Sequence, residues 1–230
     1  MRIVYYIVME KRGQKPKGKV KIKWSPNFAY AVGLLVTDGN LSSDGYHINF
    51  TSKDLELITN FLGGLQINCH VGRKASGSNT EKKYYVVQFG DVLFYKFLTS
   101  IGLTPNKTKI IGALKIPHQY FFDFLRGHFD GDGSFYSYWD KRWRSSFMHY
   151  VQFVSASKKH VFWLRAELLE KTGCVGHISE SKNSSVYQLR YAKRESFKII
   201  RKMYPTKNST CLSRKRLKIE KALRIIGKKL

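Results

Sequence analysis

Two aspartates are placed where carboxylates could work as a pair. Asp38 sits near the end of residues 31–39 (AVGLLVTDG), and Asp132 near the end of residues 125–133 (LRGHFDGDG). Both nine-residue segments have Gly at the third place, Asp at the eighth and Gly at the ninth, at an offset of 94 residues (132 minus 38). Two carboxylates brought close together repel, so both stay ionised only with cations between them. A hard ion such as Mg2+ suits this, because it takes few carboxylates and fills its shell with water and phosphate oxygens. A single Asp-Gly after an apolar helix is most often a turn. Two of them, in matching segments of a strongly basic chain, point instead to chemistry on a polyanion.

Each aspartate needs a helix to carry it. Ser25 is suited to cap a helix and Pro26 to its first position. Residues 28–36 are almost wholly apolar, so this helix must be buried on most sides. Residues 120–129 are its counterpart. A glycine inside a helix costs ~1 kcal/mol against Ala, and close helix–helix approach would account for it. Gly33 and Gly127 are therefore expected to let the two backbones touch across a pseudo-twofold axis. Gly39 and Gly133 are expected to supply the backbone freedom for the turn into the next strand.

The same run of elements follows each helix. In the first half, residues 46–51 alternate apolar and polar as a strand does. Residues 54–65 have helical spacing, 69–75 and 83–89 form a hairpin across Gly77-Ser78-Asn79, and 91–101 form a helix stopped by Gly102 and Pro105. In the second half the strands are 134–140 and 149–154, the helix 158–171, and the hairpin 174–180 with 186–191 around Asn183-Ser184. Helices over 195–204 and 212–226 complete the chain. INFTS at 48–52 matches VQFVS at 151–155. These features predict an α+β protein of two pseudo-symmetric αββαββα repeats, each with an antiparallel sheet, packed through the two motif helices. The predicted division is a basic extension over 1–23, a first repeat over 24–112 and a second over 113–230 that ends in the basic helix.

Forty-one Lys and Arg against sixteen Asp and Glu give a net charge of +25. Such an excess on a folded chain repels itself, and nucleic acid is the partner best able to offset it. No apolar run reaches the ~20 residues of a membrane span. The basic residues do not gather on one amphipathic helix, which argues against a membrane-surface role. Cys69, Cys174 and Cys211 form no CxxC pair or His/Cys cluster, so they read as free thiols in a reducing compartment, without zinc. Residues 1–10 make a poor signal peptide, and an intracellular protein of cytoplasm, nucleoid or organelle is expected.

On its paired nine-residue motifs and the repeated run of elements, the chain resembles the LAGLIDADG homing endonucleases, in the single-chain form with two motifs. The stretch IGLTPNKT at 101–108 is also similar to that family. The resemblance implies two saddle-shaped sheets and a monomer that binds a long, non-palindromic double-stranded DNA site. It implies Mg2+-dependent double-strand cleavage leaving 3′ overhangs, in the service of intron homing, and admits an intron RNA as a further partner. Asp38 and Asp132 would be catalytic and would share two or three divalent ions, with the backbone of Thr37 and Gly131 as further ligands. The ions would activate water and stabilise the leaving 3′ oxygen of each strand. The family also places a lysine after the last helix of each repeat, by position Lys107 and Lys215, the latter flanked by Arg214 and Arg216. The sixth motif place is Asp130 in the second copy and Val36 in the first, so the half-sites are expected to differ in chemistry or strain, with one strand cut first.

An antiparallel sheet with helices on one face leaves the other free. The free-face positions expected to read base edges are His47, Asn49, Arg73, Tyr84 and Gln88 in the first half. In the second they are Tyr136, Tyr138, Arg142, Gln152, His177, Ser179, Gln188 and Arg190. The competing expectation is a binding protein on the same scaffold, a maturase or a transcription regulator. Such relatives typically lose the eighth-place acids, and both are present here.

Overall fold

The computed structural model describes residues 18–76, 79–181 and 185–230, with the side chains of 76–82 left aside. Most of the basic extension and the turns at 77–78 and 183–184 lie outside the described residues. The first motif helix, α1 (Pro26–Asp38), begins as expected: Pro26 occupies its first turn and the Ser25 hydroxyl accepts from Phe28 N at 3.2 Å. Residues from Phe28 to Val36 are all buried. Its partner is α4 (Phe121–Asp132), buried from Phe124 to Asp130.

The two helices meet backbone to backbone at the expected glycines. A Cβ on Gly33 would overlap the Phe124 carbonyl and lie 2.7 Å from His128 N; one on Gly127 would overlap the Tyr30 carbonyl. Gly39 and Gly133 are needed for a different reason from the one expected. Both have extended backbone (φ −87° and −74°) that any residue adopts. A Cβ there would instead lie 2.7 Å from the Leu35 or Phe129 Cα, so it is the last helical turn that leaves no room.

Each motif helix feeds a four-stranded antiparallel sheet. The first sheet contains β1 (Gly39–Leu41), β2 (His47–Ser52), β3 (Val71–Ser76) and β4 (Asn79–Gly90), in the order β1-β2-β4-β3. The second contains β5 (Ser134–Trp139), β6 (Phe147–Ser155), β7 (His177–Glu180) and β8 (Tyr187–Ala192), in the same relative order. The shared order is the duplication made visible. In the first half, α2 (Leu55–Leu65) and α3 (Val92–Ser100) cover one sheet face. In the second, α5 (Lys158–Thr172) and α6 (Lys193–Met203) do the same, and α7 (Ser213–Ile225) lies against β5. The core is continuous from one half to the other through α1 and α4.

Buried Arg126 fixes the segment before α7: it donates to the carbonyls of Thr210 and Met203 and pairs with Asp123 at 2.7 Å. Arg126 thereby satisfies a charge that would otherwise be costly to bury. Within the widely spread positive charge there is one local concentration: amphipathic α6 exposes Lys193, Arg194, Lys198, Arg201 and Lys202, and buries Ser196, Ile199, Ile200 and Met203. Among the described residues, no helix is long and apolar enough to cross a membrane.

Candidate active site

The C-terminal ends of α1 and α4 abut. A Cβ on Gly131 would overlap the Thr37 hydroxyl and lie 2.8 Å from an Asp38 carboxylate oxygen. The backbone glycine contacts upstream thus bring Asp38 and Asp132 into one small region. Burial and then repulsion from Asp132 push the Asp38 carboxyl up to about 6. Burial also raises Asp132, opposed by Lys107 and Lys215.

Both expected lysines arrive at this place, each docked on its own motif helix. Asn106 takes up the left-handed backbone (φ 53°) that short polar side chains tolerate, and starts a short 3-10 turn over Lys107–Lys109. From there the Lys107 ammonium donates to the Gly39 carbonyl and, at 3.5 Å, to that of Thr37. Lys215, in the first turn of α7, donates to the carbonyls of Phe129 (2.6 Å), Asp130 (2.8 Å), Gly131 (3.2 Å) and Gly133 (2.6 Å). A cation at a helix C-terminus satisfies orphan carbonyls and complements the helix dipole. Burial lowers both ammonium groups, Lys215 to about 8, while the carboxylates pull the other way.

Asp130 does not stand beside Asp132 as a second site acid. It is 1% exposed, and its Oδ2 accepts from the Tyr30 hydroxyl of α1 (2.8 Å) and from Leu212 N (2.6 Å). It therefore ties the two repeats together and anchors the start of the helix that carries Lys215. The halves differ, but through this internal tie rather than an extra carboxylate at the site.

On the other flank, His128 and His160 are buried with their Nε2 atoms 3.1 Å apart, and His160 Nδ1 bonds to the Gly112 carbonyl at 2.9 Å. Since His160 Nδ1 must donate to that carbonyl, its Nε2 accepts from His128. The pair borders a small cavity of about 70 Å3 that Val36, Thr37, Lys107 and Asp132 also line. Burial lowers His160 to about 4 from its ordinary 6.5. The unfolded chain then takes up this proton first on acidification, so stability present above about pH 6.5 is lost as pH falls through about 4. His160→Gln should flatten the stability–pH profile over that window by up to about 3 kcal/mol. Urea unfolding of the metal-free protein at a series of pH values checks this, and an unchanged slope would refute it.

Strand register tests the expected reading face. In the second sheet, Ser134, Gln152, Arg190 and His177 lie directly opposite one another across the four strands. Tyr136 faces Tyr150, Tyr138 faces Met148, and Val154, Gln188 and Ser179 form a further row. Seven of the eight expected positions thus share one face. Arg142 lies in the turn between β5 and β6 with its side chain 85% exposed, so it belongs to the rim. In the first sheet, His47, Asn49, Gln88 and Tyr84 share a face, with Asn49 opposite both Asn40 and Gln88. Arg73 is on the other face. It lies opposite Tyr85, donating to its hydroxyl at 2.9 Å and stacking 4.0 Å from its ring, while Lys74 takes the free-face position opposite Tyr84.

Tyr150 is the most conspicuous addition to this face. The alternation that selects Gln152 also selects it, and its ring stacks on Tyr136 (4.9 Å) and Tyr138 (6.1 Å). Burial and then its bond to Tyr138 push its phenol up to about 12, so it stays a neutral donor. Among the described residues no group of three or more His, Cys, Asp or Glu could hold a metal.

No family model matches this sequence, and no curated protein matches it. Solved structures do. The LAGLIDADG homing endonuclease I-LtrWI, bound to target DNA, aligns with a TM-score of 0.56 at 11% identity, covering 84% of this chain and 87% of that one. I-DmoI in complex with DNA and Mn aligns at 0.52 and 16% identity, over 79% of this chain and 97% of that one. Full-length WhiA from Thermatoga maritima aligns at 0.56 and 14% identity, covering 91% of this chain and 63% of that longer one. The protein therefore has the LAGLIDADG fold in its two-repeat form, shared by homing endonucleases and by WhiA.

Proposed function

We propose that this protein is a sequence-specific DNA endonuclease that makes a double-strand break in a long, non-palindromic site by Mg2+-dependent hydrolysis, leaving 3′ overhangs. The observation that carries the reading is the meeting of Asp38 and Asp132 at two abutting helix ends, with a half-buried lysine docked at each. Fold alone does not select cleavage over binding, since the scaffold serves WhiA as well as homing endonucleases. A carboxylate such as Asp38, whose proton affinity is raised by burial and by a second carboxylate beside it, is a cost to a protein that only binds DNA.

The donor set fits Mg2+. Two carboxylates and the carbonyls of Thr37 and Gly131, whose bonds to lysine are long, offer hard oxygen ligands with room for water and phosphate. When bound there, Mg2+ would supply Lewis acidity and activation of water. The protein's own residues do the rest. The helix pair holds the carboxylates at fixed separation, the lysines place positive charge beside the scissile phosphates, and the two free faces hold the duplex in register. A single chain supplies both half-sites, so a monomer is complete.

Incubation with a randomised duplex library in Mg2+ and then in Ca2+ tests the reading. Mg2+-dependent ends at one sequence support it; binding without ends under both ions would favour a DNA-binding protein on the same scaffold. Asp38 must be ionised to hold a cation, so activity falls as pH drops through about 6. Lys215 must be charged, so activity falls again as pH rises through about 8. Bound cation and phosphate widen this window at both ends. In kcat/KM profiles, Lys215→Met should remove the alkaline limb, and a limb that survives it would assign that limb to another group.

A further inference from the structure

The outer side of the second half carries a separate concentration of positive charge. Arg194, Lys198, Arg201 and Lys202 lie on one exposed stripe of α6, at the spacing that puts side chains on a single helix face. Lys228, beyond α7, reaches across them with its ammonium 4.2 Å from the Phe197 ring centroid, and the Arg201 guanidinium is 5.8 Å from the same ring. These six residues line a cleft of about 530 Å3 that holds five cations and no carboxylate. Glu195, the acid nearest in sequence, is engaged elsewhere: its Oε1 accepts from Val175 N at 2.7 Å. Five like charges around one cleft repel one another unless a polyanion visits.

Three features narrow the partner. First, α6 packs on the helix-covered side of the second sheet, against β6 and β8, whereas Gln152, Arg190 and Tyr136 face the other way. A duplex on that free face is stiff over roughly 150 base pairs and cannot fold back to this cleft. Second, Ile199, Ile200 and Met203 of α6 are fully buried and only the Phe197 ring is partly open, which leaves too little apolar surface to insert into a bilayer. Third, the cleft is concave and has an aromatic ring in its wall, which suits unpaired bases and a flexible phosphate backbone better than a rigid double helix.

We propose that this cleft, between the exposed stripe of α6 and Lys228, binds single-stranded nucleic acid on the side of the protein away from the free sheet faces. The contacts are to phosphates and to the flat face of a base, so RNA and DNA strands both bind. The proposal does not depend on whether the protein cuts DNA, because the strand site shares no residue with Asp38, Asp132 or the lysines beside them.

The test uses the full chain and a variant carrying Arg194→Glu, Lys198→Glu and Arg201→Glu, all exposed positions whose reversal leaves the core untouched. Fluorescence anisotropy is read with labelled oligouridine, its thymidine counterpart and a mixed-sequence duplex. The variant should lose roughly tenfold or more in affinity for both single strands, with a salt slope shallower by about 2. Its affinity for the duplex should change less than about twofold. Unchanged strand affinity in the variant would overturn the proposal, as would equal losses for strand and duplex. So would binding of phosphatidylserine vesicles that depends on the same three residues. Asp132→Asn should bind the strands as the parent does, which separates failure of this proposal from failure of the nuclease reading.

Discussion

Asp132→Asn is expected to leave duplex binding in place and to lower Mg2+-dependent double-strand cleavage by at least roughly 10²–10³-fold, the loss typical of removing one preorganised electrostatic group. The two aspartates are coupled. Repulsion from Asp132 is the second cause, after burial, of the raised Asp38 pKa. Removing that charge lets Asp38 fall below about 6 and ionise more readily, while Lys107 and Lys215 remain beside it. The variant therefore keeps a charged carboxylate and both cations but loses one of the two negative charges that would hold a shared ion. Metal-free duplex binding should be unchanged or slightly tighter, because a negative charge facing the phosphates has gone. Asp38→Asn should behave alike. Gel-shift titration in Ca2+ beside a cleavage time course in Mg2+ separates the two effects. Wild-type cutting rates in either variant would end the nuclease reading, and parallel loss of binding and cleavage would point to misfolding.

What could be read from the residues, and what could not, divides by the range of the interaction. The start of α1 was legible because Ser25 and Pro26 act within one turn, and its burial because nine consecutive residues leave no polar face. The helix contact was legible because a mid-helix glycine needs a reason, and the same reason recurs at Gly33 and Gly127. The residues of the free sheet faces followed from strand parity, and the one strand position that failed broke parity. Val71 packs on the core, so Arg73, two residues on, shares its face, whereas the arginine side chain by type suggested the free one. The role of Asp130 was not legible, because its partners Tyr30 and Leu212 are 100 and 82 residues away. Nor was the docking of Lys215 on four carbonyls, although its place near the site was. The basic stripe of α6 is a local pattern and stood in the sequence; overall charge masked it.

The largest structural effect is expected from a single methyl group. Gly127→Ala would drive a Cβ into the Tyr30 carbonyl, with the Gly33 Cα 3.2 Å away, so backbone meets backbone and no side chain can turn aside. Alanine favours the helix by ~1 kcal/mol. Overpacking typically costs 1–3 kcal/mol, and a seam this rigid lies at or above the top of that range, so net destabilisation of roughly 2 kcal/mol or more is expected. Relief requires α1 and α4 to separate, and these are the helices that hold Asp38 and Asp132 at their ends. A shift near 1 Å costs on the order of 10²-fold in rate, so cleavage should fall further than stability alone explains. Gly63 is the control. It lies in α2 and a Cβ there meets nothing within 4 Å, so Gly63→Ala should stabilise by roughly 0.4–1 kcal/mol and leave cleavage unchanged. Chemical denaturation of both variants, with cleavage assayed well below their melting temperatures, checks the pair. Equal tolerance at both positions would mean that the close approach of α1 and α4 does not set the geometry of the site.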